Sequence, residues 1–320
     1  MRHPLSHMAK KPIALLIVGV VVGLLSAEVT LRFLHYPYIG CKTVDGVTES
    51  KTGRFDPITG WSYVPSKSTV VDGVTYTFNG EGYRAEDIQD ATDFTKPIII
   101  IIGDSTLFGD GLNFRDTFGY KLQQKVGDRY EVVNLAVQGY GLDQAYLRLQ
   151  QVIPKYRPTF VILDFIEDQD YRDANEDRRA LLPCFTTSGT KPLFTVGDQN
   201  ALVQLRKPER FATYDNPRLR LVWRRLQDAI RQEGSDKQLL SRILYQHIKR
   251  YAGQYNVKLL EVNYQLDERD YERNPTDPGD SPMVASYSAE YTFADGFHLN
   301  AKGMTRLTED FMTKFGSIIK

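Results

Sequence analysis

The longest unbroken run of apolar positions lies close to the N-terminus and predicts a helix of membrane-spanning length. Apolar and small residues extend from Ile13 to Ala27. Glu28 interrupts this run, and the segment from Val29 to Leu34 continues it in mixed character. A helix needs ~20 mostly apolar residues to cross a bilayer. The stretch from Ile13 to Leu34 taken together reaches that length.

Three interpretations of this helix compete, and the flanking charges favour one of them. A cleaved signal peptide fits the basic start, but cleavage after Ala27 would put Leu25 where a small residue is preferred. A buried core helix is a second alternative. A retained signal anchor fits best, because Arg2, Lys10 and Lys11 precede the run and basic flanks stay in the cytoplasm. The chain is therefore predicted to be a single-pass membrane protein whose folded part is extracytoplasmic, either periplasmic or extracellular.

Beyond residue 96, short apolar runs alternate with apolar stripes at helical spacing. The five isoleucines Ile98–Ile102 predict a central strand that is covered on both faces. Further strands are predicted at 131–137, 159–166, 257–262 and 286–293. Helices are predicted at 118–126, 142–154, 240–251 and 301–315. This alternation predicts an α/β fold, a three-layer sandwich in which helices cover both faces of a central parallel sheet.

The chain is predicted to have three parts. Residues 1–35 form a cytoplasmic tail and the membrane anchor, and residues 36–95 form an irregular N-terminal extension that is rich in turn formers. Residues 96–320 form the main domain. Within it, residues 167–235 are richer in charge and turns, which predicts a long insertion near the carboxyl edge of the sheet. In open parallel sheets the chemistry sits at that edge.

Charge and cysteine content narrow the possible functions only a little. Forty basic residues balance 40 acidic ones, so nothing global favours nucleic acid, and no nucleic-acid partner is expected. The two cysteines, Cys41 and Cys184, match no zinc or Cys-x-x-Cys spacing. Whether they form a disulfide stays open, because the spacing does not show how close their Cα atoms come.

A candidate nucleophile directly follows the first predicted strand of the main domain, in Gly103-Asp104-Ser105. A serine at the carboxyl end of a strand, on a sharp turn out of the sheet, exposes its Oγ at the rim. A serine hydroxyl is a poor nucleophile and needs an adjacent base. Histidine suits this role because it titrates near neutrality.

The position of each histidine leaves one candidate base. Four of the five are set aside because two precede the apolar run, one follows it directly and one lies in a helical stripe: His3, His7, His35 and His247. His298 lies on a loop before the last helix, three residues after Asp295. An aspartate at that spacing can orient the imidazole and stabilise the imidazolium. The sequence therefore predicts a triad of Ser105, Asp295 and His298.

The same segments resemble blocks of a known family. The segment 101–105 resembles the nucleophile block of the SGNH/GDSL hydrolase superfamily, 133–141 resembles its glycine block and 295–303 its Asp-x-x-His block. Ahead of the nucleophile, 56–61 and 79–84 resemble a membrane-anchored bacterial subgroup. The resemblance spans most of residues 55–315.

This resemblance implies an SGNH-type, flavodoxin-like hydrolase domain at 96–320, with the backbone N–H groups of Ser105 and Gly139 binding the oxyanion. One block departs from the family. The family usually has Gly-x-Asn-Asp after its third strand, and its asparagine is an oxyanion donor. Here the best match places Gln169 at that position. Glutamine carries the same amide donor on a longer arm.

The predicted function is therefore a serine esterase that needs no cofactor and no metal. Its substrate is an acyl ester, and the resemblance suggests O-acetyl groups on an extracytoplasmic glycan. Two alternatives are an O-acyltransferase with the same triad and a non-catalytic glycan-binding protein of the same fold. The acidic residues after the third predicted strand lack the glycine and the spaced glutamate of an EF-hand loop, so they do not predict a calcium site.

Overall fold

The computed structural model describes residues 10–36, 38–39, 41, 45–48, 51–166, 169–180, 182, 184–211, 218–234, 237–264, 283–285 and 287–319. The strands are β1 (Asp45–Val47), β2 (Gly53–Asp56), β3 (Gly60–Tyr63), β4 (Lys67–Val71), β5 (Val74–Phe78), β6 (Ile98–Ile102), β7 (Glu131–Asn134), β8 (Phe160–Ile166), β9 (Phe185–Thr187), β10 (Leu193–Val196), β11 (Leu202–Arg206), β12 (Lys258–Tyr264) and β13 (Met283–Ala285). The helices are α1 (Lys10–Phe33), α2 (Ser105–Phe108), α3 (Phe118–Val126), α4 (Leu142–Tyr156), α5 (Gln169–Ala174), α6 (Arg218–Gly234), α7 (Lys237–Gln254) and α8 (Ala301–Phe315).

The main domain is built on a five-stranded sheet in the order β13-β12-β8-β6-β7. All of its neighbouring strands run parallel. The isoleucines of β6 are all buried and point alternately to the two faces. Ile99 and Ile101 join a core that contains residues of α3 and α8, whereas Ile100 and Ile102 join a core with residues of α4 and α7. The predicted three-layer α/β sandwich with a parallel sheet is thus confirmed.

The predicted strands at 131–137 and 286–293 need correction. β7 ends at Asn134 because the side chain of that residue accepts a hydrogen bond from Ala136 N–H and donates one to the Leu107 carbonyl, which turns the chain out of the sheet. The last strand is β13, which precedes the predicted position. Residues 289–291 form a single 3₁₀ turn, and Thr292 pairs with Leu299 to close a loop. Position 286 lies outside the described residues.

The N-terminal extension contains more regular structure than its turn-rich sequence predicts. β2 and β3 form one antiparallel hairpin, and β4 and β5 form another. β1 pairs in parallel with β9, which belongs to the predicted insertion. A disulfide between Cys41 and Cys184 links the same two segments.

α1 is the candidate membrane anchor. The segment Pro12–Phe33 is long and apolar enough to cross a membrane, and its large apolar side chains are exposed. α1 contacts α6, and Glu28 in the C-terminal third of α1 accepts hydrogen bonds from the start of α6. The predicted N-terminal transmembrane helix thus has a structural counterpart.

Candidate active site

The nucleophile turn follows β6 and begins α2 with Ser105. The Asp104 side chain caps this short helix by accepting a hydrogen bond from Thr106 N–H at 2.8 Å. Gly103 permits the turn because a Cβ at this position would lie 1.9 Å from Asp164 Oδ1. Ser105 therefore sits at the carboxyl end of the central strand and is 7% exposed.

The structure brings Ser105, His298 and Asp295 into one hydrogen-bonded chain. Ser105 Oγ lies 2.9 Å from His298 Nε2, and His298 Nδ1 lies 2.7 Å from Asp295 Oδ2. Since a carboxylate only accepts hydrogen bonds, the Nδ1 proton points to Asp295 and Nε2 is left to accept the Ser105 hydroxyl proton. This is the tautomer that a general base requires.

The Asp295 carboxylate is held in its charged form by its own loop. Partial burial raises its pKa, but the His298 ring and the backbone N–H groups of Phe297 and His298 outweigh burial, so the pKa lies below its usual value. The two N–H groups donate to Asp295 Oδ1 at 2.9 and 3.0 Å. Asp295 thereby stays an anion that can stabilise the imidazolium.

Asn300 fixes the loop that carries Asp295 and His298. Its side chain caps α8 by accepting a hydrogen bond from Gly303 N–H, and it donates hydrogen bonds to the carbonyls of Glu290 and Thr292. The Phe293 N–H donates to the His298 carbonyl at 2.8 Å. Hydrogen bonds therefore hold the loop at both ends.

The glycine block lies beside the nucleophile turn. Val137 N–H donates to the Gly103 carbonyl at 3.0 Å, which joins the two turns. Gly139 has a φ of +77°, and a Cβ there would lie 2.9 Å from the Phe185 ring, so both conformation and space require glycine. Within the described part of the chain, the N–H groups of Ser105 and Gly139 donate no hydrogen bond. Both N–H groups are therefore available as hydrogen-bond donors.

The N-terminal extension holds the glycine block in place, which the sequence did not predict. Trp61 Nε1 donates to the Gln138 carbonyl at 2.9 Å, and Gln138 N–H donates to Tyr63 Oη at 3.1 Å. Tyr140 Oη donates to the Trp61 carbonyl at 2.6 Å. The only indication in the sequence was the aromatic residue that closes the segment 56–61.

A buried ion pair joins the nucleophile turn to the glycine block. Arg172 Nη1 lies 2.7 Å from Asp104 Oδ2 and donates to the Tyr140 carbonyl at 3.1 Å. Burial raises the pKa of Asp104, but the Arg172 guanidinium and the hydrogen bond from Asp164 outweigh burial and lower it. Burial and the charge of Asp104 raise the pKa of Asp164 well above its usual value.

Gln169 begins α5 and is buried, and its amide is engaged with a neighbouring carboxylate. Gln169 Nε2 donates to Asp173 Oδ1 at 2.9 Å, and Leu142 N–H donates to the same oxygen at 2.7 Å. Ser241 Oγ donates to the other oxygen of Asp173 at 2.7 Å. Burial and the nearby Asp143 carboxylate raise the pKa of Asp173 to about 7. One of the two Gln169 amide hydrogens is thus used for Asp173.

A cavity of about 340 Å³ opens beside the triad. Its lining is part polar and part aromatic and includes Tyr76, Asp110, Gln138, Phe293, Asp295 and His298. Among the described residues, no group of three His, Cys, Asp or Glu side chains is arranged to hold a metal ion. The cavity therefore offers a substrate hydrogen-bonding side chains next to two members of the triad, Asp295 and His298.

No protein-family model and no curated protein matches this chain. Among solved structures it is similar to TesA, with 14% identity, a TM-score of 0.43 and coverage of 69% of this chain and 99% of that one. It is also similar to the esterase EstA from Pseudoalteromonas sp., with 11% identity, a TM-score of 0.41 and coverage of 70% and 99%. A third is a member of the lipolytic G-D-S-L family from Veillonella parvula, with 13% identity, a TM-score of 0.30 and coverage of 69% and 98%. At such levels these likenesses assign no activity, and the resemblance to SGNH/GDSL hydrolases stands on the motifs of the chain itself.

Proposed function

We propose that this protein is a serine esterase of the SGNH/GDSL type with Ser105 as its nucleophile. The observation that carries the proposal is the preformed chain of hydrogen bonds from Ser105 Oγ through His298 to Asp295, at 2.9 and 2.7 Å. A serine is a nucleophile only when a base can take its proton. Here His298 Nε2 lies within hydrogen-bonding distance of the Ser105 hydroxyl, and His298 Nδ1 faces the Asp295 carboxylate.

In the first half-reaction, Ser105 Oγ attacks the acyl carbonyl and forms a C–O bond while His298 Nε2 takes the hydroxyl proton. Asp295 stabilises the imidazolium. The negative charge that develops on the carbonyl oxygen is bound by the N–H groups of Ser105 and Gly139. His298 then gives its proton to the leaving alcohol as the ester bond breaks.

In the second half-reaction, water attacks the acyl-enzyme and His298 takes one of its protons. Collapse of the second tetrahedral intermediate breaks the bond to Ser105, whose oxygen regains a proton from His298. The products are a carboxylic acid and the free enzyme. Acyl transfer would follow the same steps with an alcohol in place of water, so the acceptor alone separates an O-acyltransferase from an esterase.

We propose Gln169 as a third oxyanion donor. Its amide hydrogen that is not bonded to Asp173 is the candidate. The bond to Asp173 supports this role, because it fixes the orientation of the amide plane without using both hydrogens. Gln169 is also buried, as an oxyanion donor in a dry site must be.

The substrate we propose is a short acyl ester of a hydroxyl-rich alcohol, such as an O-acetylated glycan outside the cytoplasm. The pocket beside the triad is small, and Tyr76 Oη, Asp110 and Gln138 give its wall hydrogen-bonding groups. Such a wall suits hydroxyl groups better than a long acyl chain. The anchor α1 is consistent with a substrate at the cell envelope.

Turnover of an aryl acetate by the full-length protein in detergent tests the proposal. Ser105→Ala and His298→Ala should each abolish turnover, whereas Ser68→Ala should not, because Ser68 lies on the β4–β5 hairpin and bonds to Thr77. Comparison of acetylated and butyrylated substrates tests the acyl preference. Turnover by Ser105→Ala at the wild-type rate would overturn the assignment. If the wild-type protein is folded but does not hydrolyse the aryl acetate, the result would favour the non-catalytic, glycan-binding alternative.

A further inference from the structure

One helix of the main domain carries an exposed apolar face. Val222, Trp223, Leu226 and Ile230 of α6 are 38, 59, 49 and 65% exposed. Their spacing of one, three and four residues places them side by side on one face of the helix. We propose that α6 lies in the membrane–water interface beside α1, with this apolar face in the lipid. The proposal requires α1 to span the membrane and does not depend on the esterase activity.

The opposite face of α6 attaches the helix to the protein. Leu221 and Arg224 are buried. Arg224 pairs with Glu209, and Arg225 donates a hydrogen bond to the Arg179 carbonyl. The helix is therefore held by one side and offers the apolar side outward. An exposed apolar face of this kind marks an interaction site.

The start of α6 is bonded to the end of the predicted membrane span. Glu28 of α1 accepts hydrogen bonds from the N–H groups of Arg218 and Leu219 at 2.9 and 3.0 Å. These are the first two N–H groups of α6, which have no acceptor within the helix. The Arg225 guanidinium also lies over the Tyr36 ring, 5.0 Å from its centroid. α6 therefore begins beside the last turns of the predicted membrane span.

The composition of α6 fits a bilayer rather than a protein partner. Arginines occupy five positions of the helix, against one Asp and one Glu, and three of the five, Arg220, Arg224 and Arg225, are bonded to groups of the protein itself. Amphipathic helices rich in basic residues, with Trp and Leu on the apolar face, lie in the headgroup region, and Trp is enriched at that depth. With α6 as a second attachment, the hydrolase domain has a fixed orientation to the membrane instead of hanging from one helix.

Tryptophan fluorescence can test this directly, because the chain has only two tryptophans. Trp61 is fully buried, whereas Trp223 is exposed on α6. The full-length protein is reconstituted in nanodiscs of phosphatidylcholine, either plain or brominated near the carbonyl end of the acyl chains. We expect the brominated lipid to quench the fluorescence of Trp223. In plain lipid, we expect the bilayer to protect this fluorescence from quenching by acrylamide in the aqueous phase. Trp223→Phe should remove the lipid-quenched component.

Two further variants sharpen the test. Phe94→Trp in the Trp223→Phe background places a tryptophan at another exposed site, which stacks on Tyr156 of α4, and acrylamide rather than brominated lipid should quench it. Leu226→Asp with Ile230→Asp should restore acrylamide quenching of Trp223 without changing aryl acetate turnover. If acrylamide quenches the fluorescence of Trp223 and brominated lipid does not, the proposal is overturned. If neither acrylamide nor brominated lipid quenches the fluorescence of Trp223, the proposal is also overturned. That result would indicate a protein partner or a second copy of the chain on this face.

Discussion

At the scale of single residues, the carboxyl groups of the site are in different electrostatic states. Asp295 is partly exposed and its pKa is lowered, whereas Asp164 is buried and its pKa is raised well above its usual value. Asp173 lies between these extremes, with a pKa raised to about 7. The residue identities alone do not reveal these states, because each is set by neighbours from other parts of the chain.

Gln169 gives the first prediction. If its free amide hydrogen reaches the oxyanion, Gln169→Ala should lower kcat about a hundredfold to a thousandfold, because that bond forms only in the transition state. KM should change little. Gln169→Asn, with a shorter arm, should also fall below the wild type. A kcat for Gln169→Ala within a few-fold of wild type would show that the backbone N–H groups of Ser105 and Gly139 bind the oxyanion without it.

Asp173 gives a prediction on pH and stability. Its pKa is raised from 3.8 to about 7 in the folded protein, so between these values the folded state binds a proton that the unfolded state has released. The stabilisation from this proton is fully present below the unfolded pKa and is lost as pH rises through 7. Asp173→Asn keeps the shape and removes the titration.

The measurement is the thermal unfolding midpoint of wild type and Asp173→Asn between pH 5 and pH 8. The variant should gain stability relative to wild type as pH rises, by about 1 to 3 kcal/mol in total. Other buried groups titrate in both proteins, so only the difference between the two is interpreted. A difference that is constant with pH would show that Asp173 keeps an ordinary pKa.

At the scale of elements, the sequence predicted what local patterns encode. The isoleucine run of β6 and the apolar stripe of α8 predicted both elements and their burial. The sequence did not predict β13, because its three residues are too few to show a periodic pattern. The contacts of Trp61 and Tyr63 with Gln138 and of Arg172 with Asp104 were also missed, because each joins residues at least 68 positions apart. Such pairings follow from the fold and leave no local pattern.

The hairpin that supports the glycine block gives the next prediction. Tyr63→Phe keeps the ring that stacks on Phe78 and Phe108 but removes both hydrogen bonds to Gln138. A buried N–H group without a partner costs about 1 to 3 kcal/mol, so the melting temperature should fall by several degrees. Because Gly139 follows Gln138, kcat should fall as well, with KM little changed.

Tyr120→Phe serves as the matched control, because the Tyr120 ring packs edge-on against Phe114 rather than against Gln138 or Gly139. It should leave kcat unchanged. A Tyr63→Phe protein that melts early but keeps full kcat would show that β3 stabilises the domain without positioning the oxyanion site.

At the scale of the whole molecule, two features agree on the side of the membrane on which the domain lies. The basic flank precedes the apolar run of α1, and Cys41 is paired with Cys184. Disulfides persist in oxidising compartments. We therefore expect the catalytic domain on the extracytoplasmic side.

A reporter fusion tests this topology. A fluorescent protein that matures only in the cytoplasm, fused after Lys320, should stay dark. Alkaline phosphatase at the same position, which folds only outside the cytoplasm, should be active. A bright fusion with inactive phosphatase would place the domain in the cytoplasm.

The most direct test of the central claim is to locate a covalent adduct. A fluorophosphonate probe reacts with a serine only when that serine is activated by its base. After labelling of the full-length protein and proteolysis, mass spectrometry should find the added mass on Ser105, and His298→Ala should prevent the labelling. An unlabelled Ser105 in folded wild-type protein, or a label on another serine, would contradict the account.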